Sequence, residues 1–398
     1  MPRLLVALVP LVLAACATAP PTSPLAELFV LHDPAPLTTA DGVRVAEGGF
    51  SGLDVVDGVL VAVTDRGPNV EAEGRAGRPA KRFLAPAYAP FVATLVPRDG
   101  HLVLRDRLPL RRPGGAPVSG LPVPDEAAGV VETAYGPVFE TLAPDAWGLD
   151  AEGLAADGTG GWWVADEYRP SLWRVGADGR VAERFTPRPA GPADRPLPAV
   201  LLEREDNRGF EGVGVWPGGR VVASLQSPLQ VGGVAAAGSV LSRLLLLDPA
   251  TGAAETVAFA LDGPLRKVGD LAALDAGRLL ILEHGPAGAG QRWTGHVYLV
   301  DVREATRIPD GVALEPLRSA GAARAAGVRL ATKTPILDLL AAGWPPDAHK
   351  PEGLGLDGRT LWVLSDNDFG LDAPGADGLA QATGQQTVLA RFVLPRRP

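Results

Sequence analysis

A short pattern recurs five times along the chain, and it limits the fold more than any other feature. Each copy runs from a small or acidic residue, through Gly-Leu or a close variant, into an apolar run that ends on a polar residue. The copies are Ser51-Gly52-Leu53 to Asp65, Glu152-Gly153-Leu154 to Asp166, Glu211-Gly212-Val213 to Gln226, Gly269-Asp270-Leu271 to Glu283, and Glu352-Gly353-Leu354 to Asp366. A near-constant internal spacing with unequal gaps between copies marks a repeat architecture. In such an architecture, equivalent polar positions from several units can meet at one place.

Every copy contains a tight turn between two apolar runs: Asp57-Gly58, Asp157-Gly158, Pro217-Gly218-Gly219, Asp275-Ala276-Gly277 and Asp357-Gly358. Turn dipeptides of this kind between β-rich runs specify hairpins. Trp162, Trp163 and Trp362 lie inside these runs and read as core. Further strand signals follow most copies, giving four antiparallel strands per unit. Radial repetition of such a unit describes an all-β propeller. Five units are visible, and the long step between the first two leaves room for another, so six blades are expected. One short inserted helix is expected over residues 334–343, where Thr334 caps, Pro335 occupies the first turn and Gly343 stops it.

The chain has 398 residues, 46% of them hydrophobic, enough for one large closed domain. Its net charge of −9, with no basic run, argues against a nucleic-acid partner; a monomer is expected. Arg3 followed by the apolar stretch from Leu4 to Leu13 reads as a targeting segment, too short to span a membrane. Leu13-Ala14-Ala15-Cys16 resembles the lipobox of bacterial lipoproteins, which implies cleavage before Cys16 and lipidation of that residue, the only cysteine present. The alternative is an ordinary secretory signal with a chance cysteine. The expected organisation is a signal peptide over 1–15, a lipidated Cys16 and flexible tether over 16–26, and a propeller over 27–398. The expected location is the periplasm or cell exterior, with the membrane contacted only through the N-terminal lipid.

Four motifs point further. Phe50-Ser51-Gly52-Leu53 with Thr64-Asp65-Arg66-Gly67 opens the set, followed by Glu152-Gly153-Leu154 with Ala165-Asp166-Glu167-Tyr168. The others are Asn207-Arg208-Gly209-Phe210-Glu211-Gly212 with Leu225-Gln226-Ser227, and Lys350-Pro351-Glu352-Gly353-Leu354 with Ser365-Asp366-Asn367-Asp368. In order and content, this set resembles the phytase-like family, known as esterase-like activity of phytase, over roughly residues 45 to 395. The resemblance implies an exported bacterial β-propeller that hydrolyses phosphoesters or related esters. It carries no defined catalytic set. Where relatives tend to read Glu-Arg-Asp, this chain has Glu283-His284-Gly285, which puts the role of the fourth unit in doubt.

In a propeller the loops at the ends of the inner strands crowd one face. The convergent carboxylates would be Glu152, Glu211, Asp270 and Glu352 at strand starts, with Asp65, Asp166, Glu167, Glu283, Asp366 and Asp368 at strand ends. A ring of carboxylates repels itself unless a cation or donors sit inside it. Oxygen-only donors suit Ca²⁺ or another hard divalent cation, which could polarise a phosphate while a carboxylate holds the attacking water. The candidates for the reaction are Glu152, Glu211, Glu352 and Asp166. The candidates for ligating the ion are Glu152, Asp166, Glu211, Asp270, Glu352 and Asp366. Arg66, Arg169, Arg208, Lys267 and Lys350, with Tyr168, are placed to hold substrate. His284 reads either as an acid/base group or as a satisfied surface histidine.

The competing reading gives each acid a structural task, accepting backbone N–H groups and fixing a turn. The chain would then be a non-catalytic propeller that binds a ligand or protein partner in the cell envelope. The two readings part on geometry: acids within about 5 Å of one another, with room for an ion, favour the hydrolase. The sequence lacks a Gly-x-Ser-x-Gly elbow, a phosphate-binding P-loop and a zinc motif, so those chemistries have no support.

Overall fold

The computed structural model describes residues 24–39, 44–74, 79–124, 132–286, 293–372, 374 and 380–398. The targeting segment and Cys16 lie outside the described residues. Five four-stranded blades form a ring. From the centre outward, blade one is Phe50–Val56, Val59–Thr64, Phe91–Arg98 and His101–Pro109. Blade two is Ala151–Ala156, Trp162–Asp166, Ser171–Val175 and Val181–Thr186. Blade three is Phe210–Val215, Val221–Leu225, Leu241–Asp248 and Ala253–Ala260. Blade four is Lys267–Asp275, Arg278–Pro286, Trp293–Asp301 and Thr332–Asp338. Blade five is Pro351–Asp357, Thr360–Ser365 and Val388–Val393, completed by the first strand of the chain, Leu25–Leu31. The innermost strands pack in ring order, and the fifth returns to the first.

The inner strands read as unbroken apolar runs because both of their faces are buried between blades. Successive side chains point to opposite faces of a strand. In blade four, Leu279 and Ile281 therefore enter the layer shared with blade three, while Leu280 and Leu282 enter the layer shared with blade five. Five such layers hold the ring, one per gap. Trp163 is buried in one of them, and Trp162 and Trp362 pack against two others, as their place in the runs requires.

Two expectations are corrected here. Among the described residues the blades number five, where six were expected. The long first gap holds three strands of three or four residues, Asn69–Ala72, Ala80–Phe83 and Thr133–Tyr135, which pair among themselves. They add an accessory sheet beside the ring instead of a blade, because none is long enough to span one. The helix expected over 334–343 is shorter. Residues up to Asp338 are the outer strand of blade four, and only Leu339–Ala342 is helical, capped by the Asp338 side chain and stopped by Gly343 at φ 107°. A second short helix spans Ala320–Ala325.

The Gly of each motif is demanded by the axis. A Cβ on Gly153 would lie 2.5 Å from the Glu211 carbonyl oxygen, and one on Gly212 would lie 2.6 Å from the Leu271 nitrogen. The inner strands touch there, backbone to backbone. In blade four the corresponding residue is Asp270, which pairs with Leu282 as Gly153 pairs with Ala165. Its carboxylate crosses the axis and accepts N–H groups from Leu53 of blade one at 3.1 Å and Leu354 of blade five at 2.9 Å.

Candidate active site at the channel mouth

Two residues from each blade shape the mouth. The first sits at a β-bulge near the start of the inner strand, where the extra residue is Glu152, Glu211, Gly269 or Glu352, and Ser51-Gly52 in blade one. A bulge kinks its strand and re-aims a side chain. Three of these side chains are glutamates, and all three line the cavity. The second residue follows the end of the neighbouring strand at Asp65, Glu167, Gln226 and Asp366, and in blade four is His284, inside the longer strand Arg278–Pro286. Four of these donate their N–H to the carbonyl two positions before the bulge, on Gly49, Asp150, Gly209 and Lys350, at 2.8–3.0 Å. In blade four His284 pairs with Lys267 in the same register. All five side chains line one cavity of about 340 Å³, within the range of small-molecule sites. Part of its remaining wall comes from the accessory sheet, through Asn69, Val70, Glu71 and Lys81.

Blade two concentrates acid. Asp150 lies two positions before Glu152, and Asp150, Glu152 and Glu167 bring carboxylate oxygens within 4.8 Å of one another. All three are buried. Asp150 is 3.4 Å from the Arg66 guanidinium. Glu167 accepts from Asn207 and Gln226, with Arg208 at 3.7 Å. Glu152 has no hydrogen bond or ion pair with any described residue. Burial, then the charges of Asp150, Glu211, Glu167 and Glu352, push its carboxyl well above the usual range. Glu167 is raised to about 7, chiefly by burial and Asp150, against the pull of Arg208 and Arg66. Crowded buried carboxylates of this kind are what an oxygen-liganded dication relieves, and an all-oxygen donor set suits Ca²⁺ or Mg²⁺. The residues present fit such an ion.

Cations line the same cavity, Arg66 and Arg208 against the cluster itself and Lys267 and Lys350 from blades four and five. The Lys350 ammonium is held by Asp366 and Asp368 at 3.0 Å each and by Glu352 at 3.4 Å. Burial alone would lower its pKa, but these three charges raise it well above the ordinary lysine value. Arg66 contacts Glu132 and Asn207, and its guanidinium carbon sits 5.5 Å from the Tyr168 ring centre. Glu211 accepts from Gln226; burial, then Glu167 and Glu352, raise it strongly. Glu352, also raised by burial, is 3.8 Å from the imidazole of His284.

The sequence profile described as "Phytase-like: esterase-like activity of phytase" matches residues 46–369. The chain belongs to this family. The phytase-like match begins just before the first blade and ends beside Asp368, so it takes in all the mouth residues named above. A curated relative is an uncharacterized secreted protein of Arthroderma benhamiae, 28% identical over 145 residues, which are 33% of this chain and 28% of the relative's length. Among solved structures, the chain is similar to virginiamycin B lyase from Staphylococcus aureus, at 11% identity, 92% of this chain, 100% of that chain and TM-score 0.32. It is also similar to the catalytic domain of the Coprinopsis cinerea GH62 α-L-arabinofuranosidase, at 9% identity, 92% and 98% coverage and TM-score 0.43.

Within the phytase-like ring, the sequence-expected residues divide. Glu152, Glu211, Glu352, Asp366, Arg66, Arg208, Lys267 and Lys350 all line the cavity. Asp166 lies behind its wall: it accepts from Ser171 Oγ at 2.6 Å, Tyr168 N at 3.1 Å and Asp150 N at 3.3 Å. Burial raises it to about 6, with Ser171 opposing. The strand alternation makes its neighbour Glu167 the mouth residue, so the acid was placed one position early. Glu283 is displaced in the same way; it pairs with Lys333 at 2.5 Å, and His284 takes the mouth. Asp270 is withdrawn as an ion ligand, because the bulge residue of blade four is Gly269 and Asp270 spends its oxygens on the axis. Tyr168 donates its hydroxyl to the Gly120 carbonyl at 2.6 Å beneath Arg66, and it and buried Arg169 stand outside the cavity wall. Asp65 and Asp366 reach the cavity but also accept the N–H two residues on, at 2.7 and 2.9 Å, as turn formers do.

Sequence reasoning missed Asp150, Asn207, Gln226 as a site residue, and Trp293. Asp150 had a signal: on an extended strand, residues two apart share a face, so the acid before Glu152 accompanies it.

Proposed function

We propose that this phytase-like propeller is an exported hydrolase of phosphoesters or related esters, using a hard divalent cation held by Asp150, Glu152 and Glu167. The observation that carries this reading is the approach of these carboxylates to within 4.8 Å, with Glu152 unpartnered, where Glu152 and Glu167 line one cavity together with Arg66, Arg208, Lys267 and Lys350. When bound, such an ion supplies a Lewis acid for a phosphoryl or carbonyl oxygen. Lys267, Arg208 and Lys350 orient the anionic group. Glu211, raised strongly by burial and then by the charges of Glu167 and Glu352, is the group to give a proton to a leaving oxygen and take one back from water, while Glu352, raised by burial against the pull of Lys350, holds that lysine in place. The test is hydrolysis of an aryl phosphate, phytate and a short aryl ester by the full chain, with added Ca²⁺ and with chelator. Turnover that rises with Ca²⁺ and collapses on chelation is expected. No turnover of any substrate in either condition overturns the reading.

One observation favours the second reading, a propeller that binds without turnover. Asp65, Asp166 and Asp366 each close a turn, so part of the repeated acid pattern serves the scaffold. Saturable binding of these compounds without hydrolysis would select it.

Export agrees with the secreted description of the Arthroderma relative. The lipid anchor on Cys16 is part of the proposal. Leu25 pairs with Phe392, while Val388, at the other end of the same strand pair, lies toward the mouth beside Ser365. The first strand thus starts on the face opposite the cavity, and a membrane tether leading to it leaves the mouth turned outward. Cys16→Ser is expected to move the protein from the membrane to the soluble fraction; unchanged fractionation removes the anchor.

A further inference from the structure

We propose that Lys267 and His284 of blade four form a seat for a tetrahedral oxyanion, in the cavity they share with Glu152 and Glu167 of blade two. Blade four breaks the acidic pattern of the ring: its bulge residue is Gly269, and the residue at the mouth position of its second strand is His284. The two side chains come from directly paired positions on neighbouring strands, Lys267 and His284, and both line the cavity.

Their partners, or lack of them, single them out. Lys350 is held by three carboxylates, Arg66 by Glu132 and Asp150, and Arg208 by Glu167. Lys267 has no hydrogen bond or ion pair with any described residue. His284 is 1% exposed, yet neither of its ring nitrogens has a hydrogen-bond partner; the nearest acid among the described residues, Glu352, stands 3.8 Å from Nε2, beyond hydrogen-bond reach, and is itself drawn to Lys350. A buried polar group without a partner is costly, by about 1–3 kcal/mol, unless a ligand completes it. Stacking on Trp293, with ring centres 5.2 Å apart, holds the imidazole in place.

The local field agrees with an anion. Burial, then Lys267, Lys350 and Arg266, lower the His284 pKa well below the ordinary value, so the ring is neutral and offers one N–H. Burial, then Arg208, also lowers Lys267. Burial is the larger cause of both shifts; the neighbouring cations add to it, Glu167 and Glu211 oppose it at Lys267, and an oxyanion would offset the cationic part. The seat rests on the hydrolase reading only for its use, holding the phosphoryl group during reaction; its binding is independent of turnover.

Inorganic phosphate, sulfate and acetate are each titrated calorimetrically into the full chain. Phosphate and sulfate are expected to bind more tightly than acetate. Lys267→Met is expected to weaken phosphate by about tenfold and His284→Gln by severalfold, with Lys267→Arg restoring most of the loss. Lys81→Met, which removes a cavity lysine already paired with Glu71, serves as control and should change affinity by less than about twofold. Melting curves confirm that each variant is folded. Phosphate binding that is absent from the parent chain, unaltered in Lys267→Met, or equally weakened in Lys81→Met overturns the seat. Hydrolysis with unaltered phosphate binding in Lys267→Met sinks the seat alone. Phosphate binding through Lys267 without hydrolysis sinks the hydrolase reading and leaves the seat standing.

Discussion

Glu152→Gln is expected to lower kcat toward an aryl phosphate by about 10²- to 10⁴-fold, the range for loss of a positioned acid-base or ion-holding group, without unfolding the protein. The carboxylate has no protein partner to lose, and it lies against four other acids whose repulsion the amide relieves. Its effect on stability should therefore have the opposite sign to its effect on activity. The pH dependence supplies a second reading. Glu167 rises from its ordinary 4.5 to about 7 in the fold, and Glu152 also rises well above 4.5. The unfolded chain releases these protons near the ordinary value, whereas the folded chain retains them. Stability is then fully present below about pH 4.5 and declines as pH climbs through the folded pKa values, toward 7 and beyond. Without added cation, the parent should melt at a lower temperature at pH 8 than at pH 5 through this cluster. Glu152→Gln should narrow the difference, and Ca²⁺ should narrow it in the parent but far less in the variant. Activity within threefold of the parent would remove Glu152 from the mechanism.

Asp270→Ala is expected to be the most destabilising single change at the centre of the ring, by about 2–6 kcal/mol. The carboxylate accepts from three backbone N–H groups, one of them on its own strand at Leu271, and orphaning the two that come from other blades, at about 1–3 kcal/mol each, gives that range. The donors are Leu53 N and Leu354 N, on two other blades, and both are otherwise buried. Asp270→Asn keeps one acceptor oxygen but puts an amide donor among these N–H groups, so its loss should be intermediate. Urea midpoints at fixed pH measure both. An alanine variant as stable as the parent would show that the carboxylate only fills space. The effect should appear in unfolding, with phosphate affinity at the mouth changed far less than stability.

Blade repetition was legible because its requirements are local. A two-residue Asp-Gly turn needs positive φ at both positions, and Asp57 and Gly58 have 49° and 78°. The axis admits no Cβ at Gly153 or Gly212, so glycine had to recur there. The bulge turned Glu152, Glu211 and Glu352 inward, and a fixed offset in the sequence marked them. Asp166 and Glu167 were harder to tell apart, because both are acids and only the strand register says which faces the channel. Gln226, at the right register in blade three, held the information needed to correct it. The blade count failed for a different reason. The long step between the first two copies left room for a blade, and the strands that fill it, such as Asn69–Ala72, have neither the length of a blade strand nor a place in the ring. Burial of His284 was hidden because it depends on Trp293, on the next strand across.

The seam of the ring has a consequence for engineering. The carbonyl of Pro24 accepts the N–H of Val393 at 3.0 Å, so the two ends of the folded region lie side by side on one rim. Topologically the domain is close to a circle that happens to be cut there. A short linker across that gap, with a new opening at the exposed hairpin tip Gly158-Thr159-Gly160, would preserve every blade pairing while moving both termini to another sector. Cargo or surface supports could then be attached at whichever sector suits them, with the substrate entrance left clear.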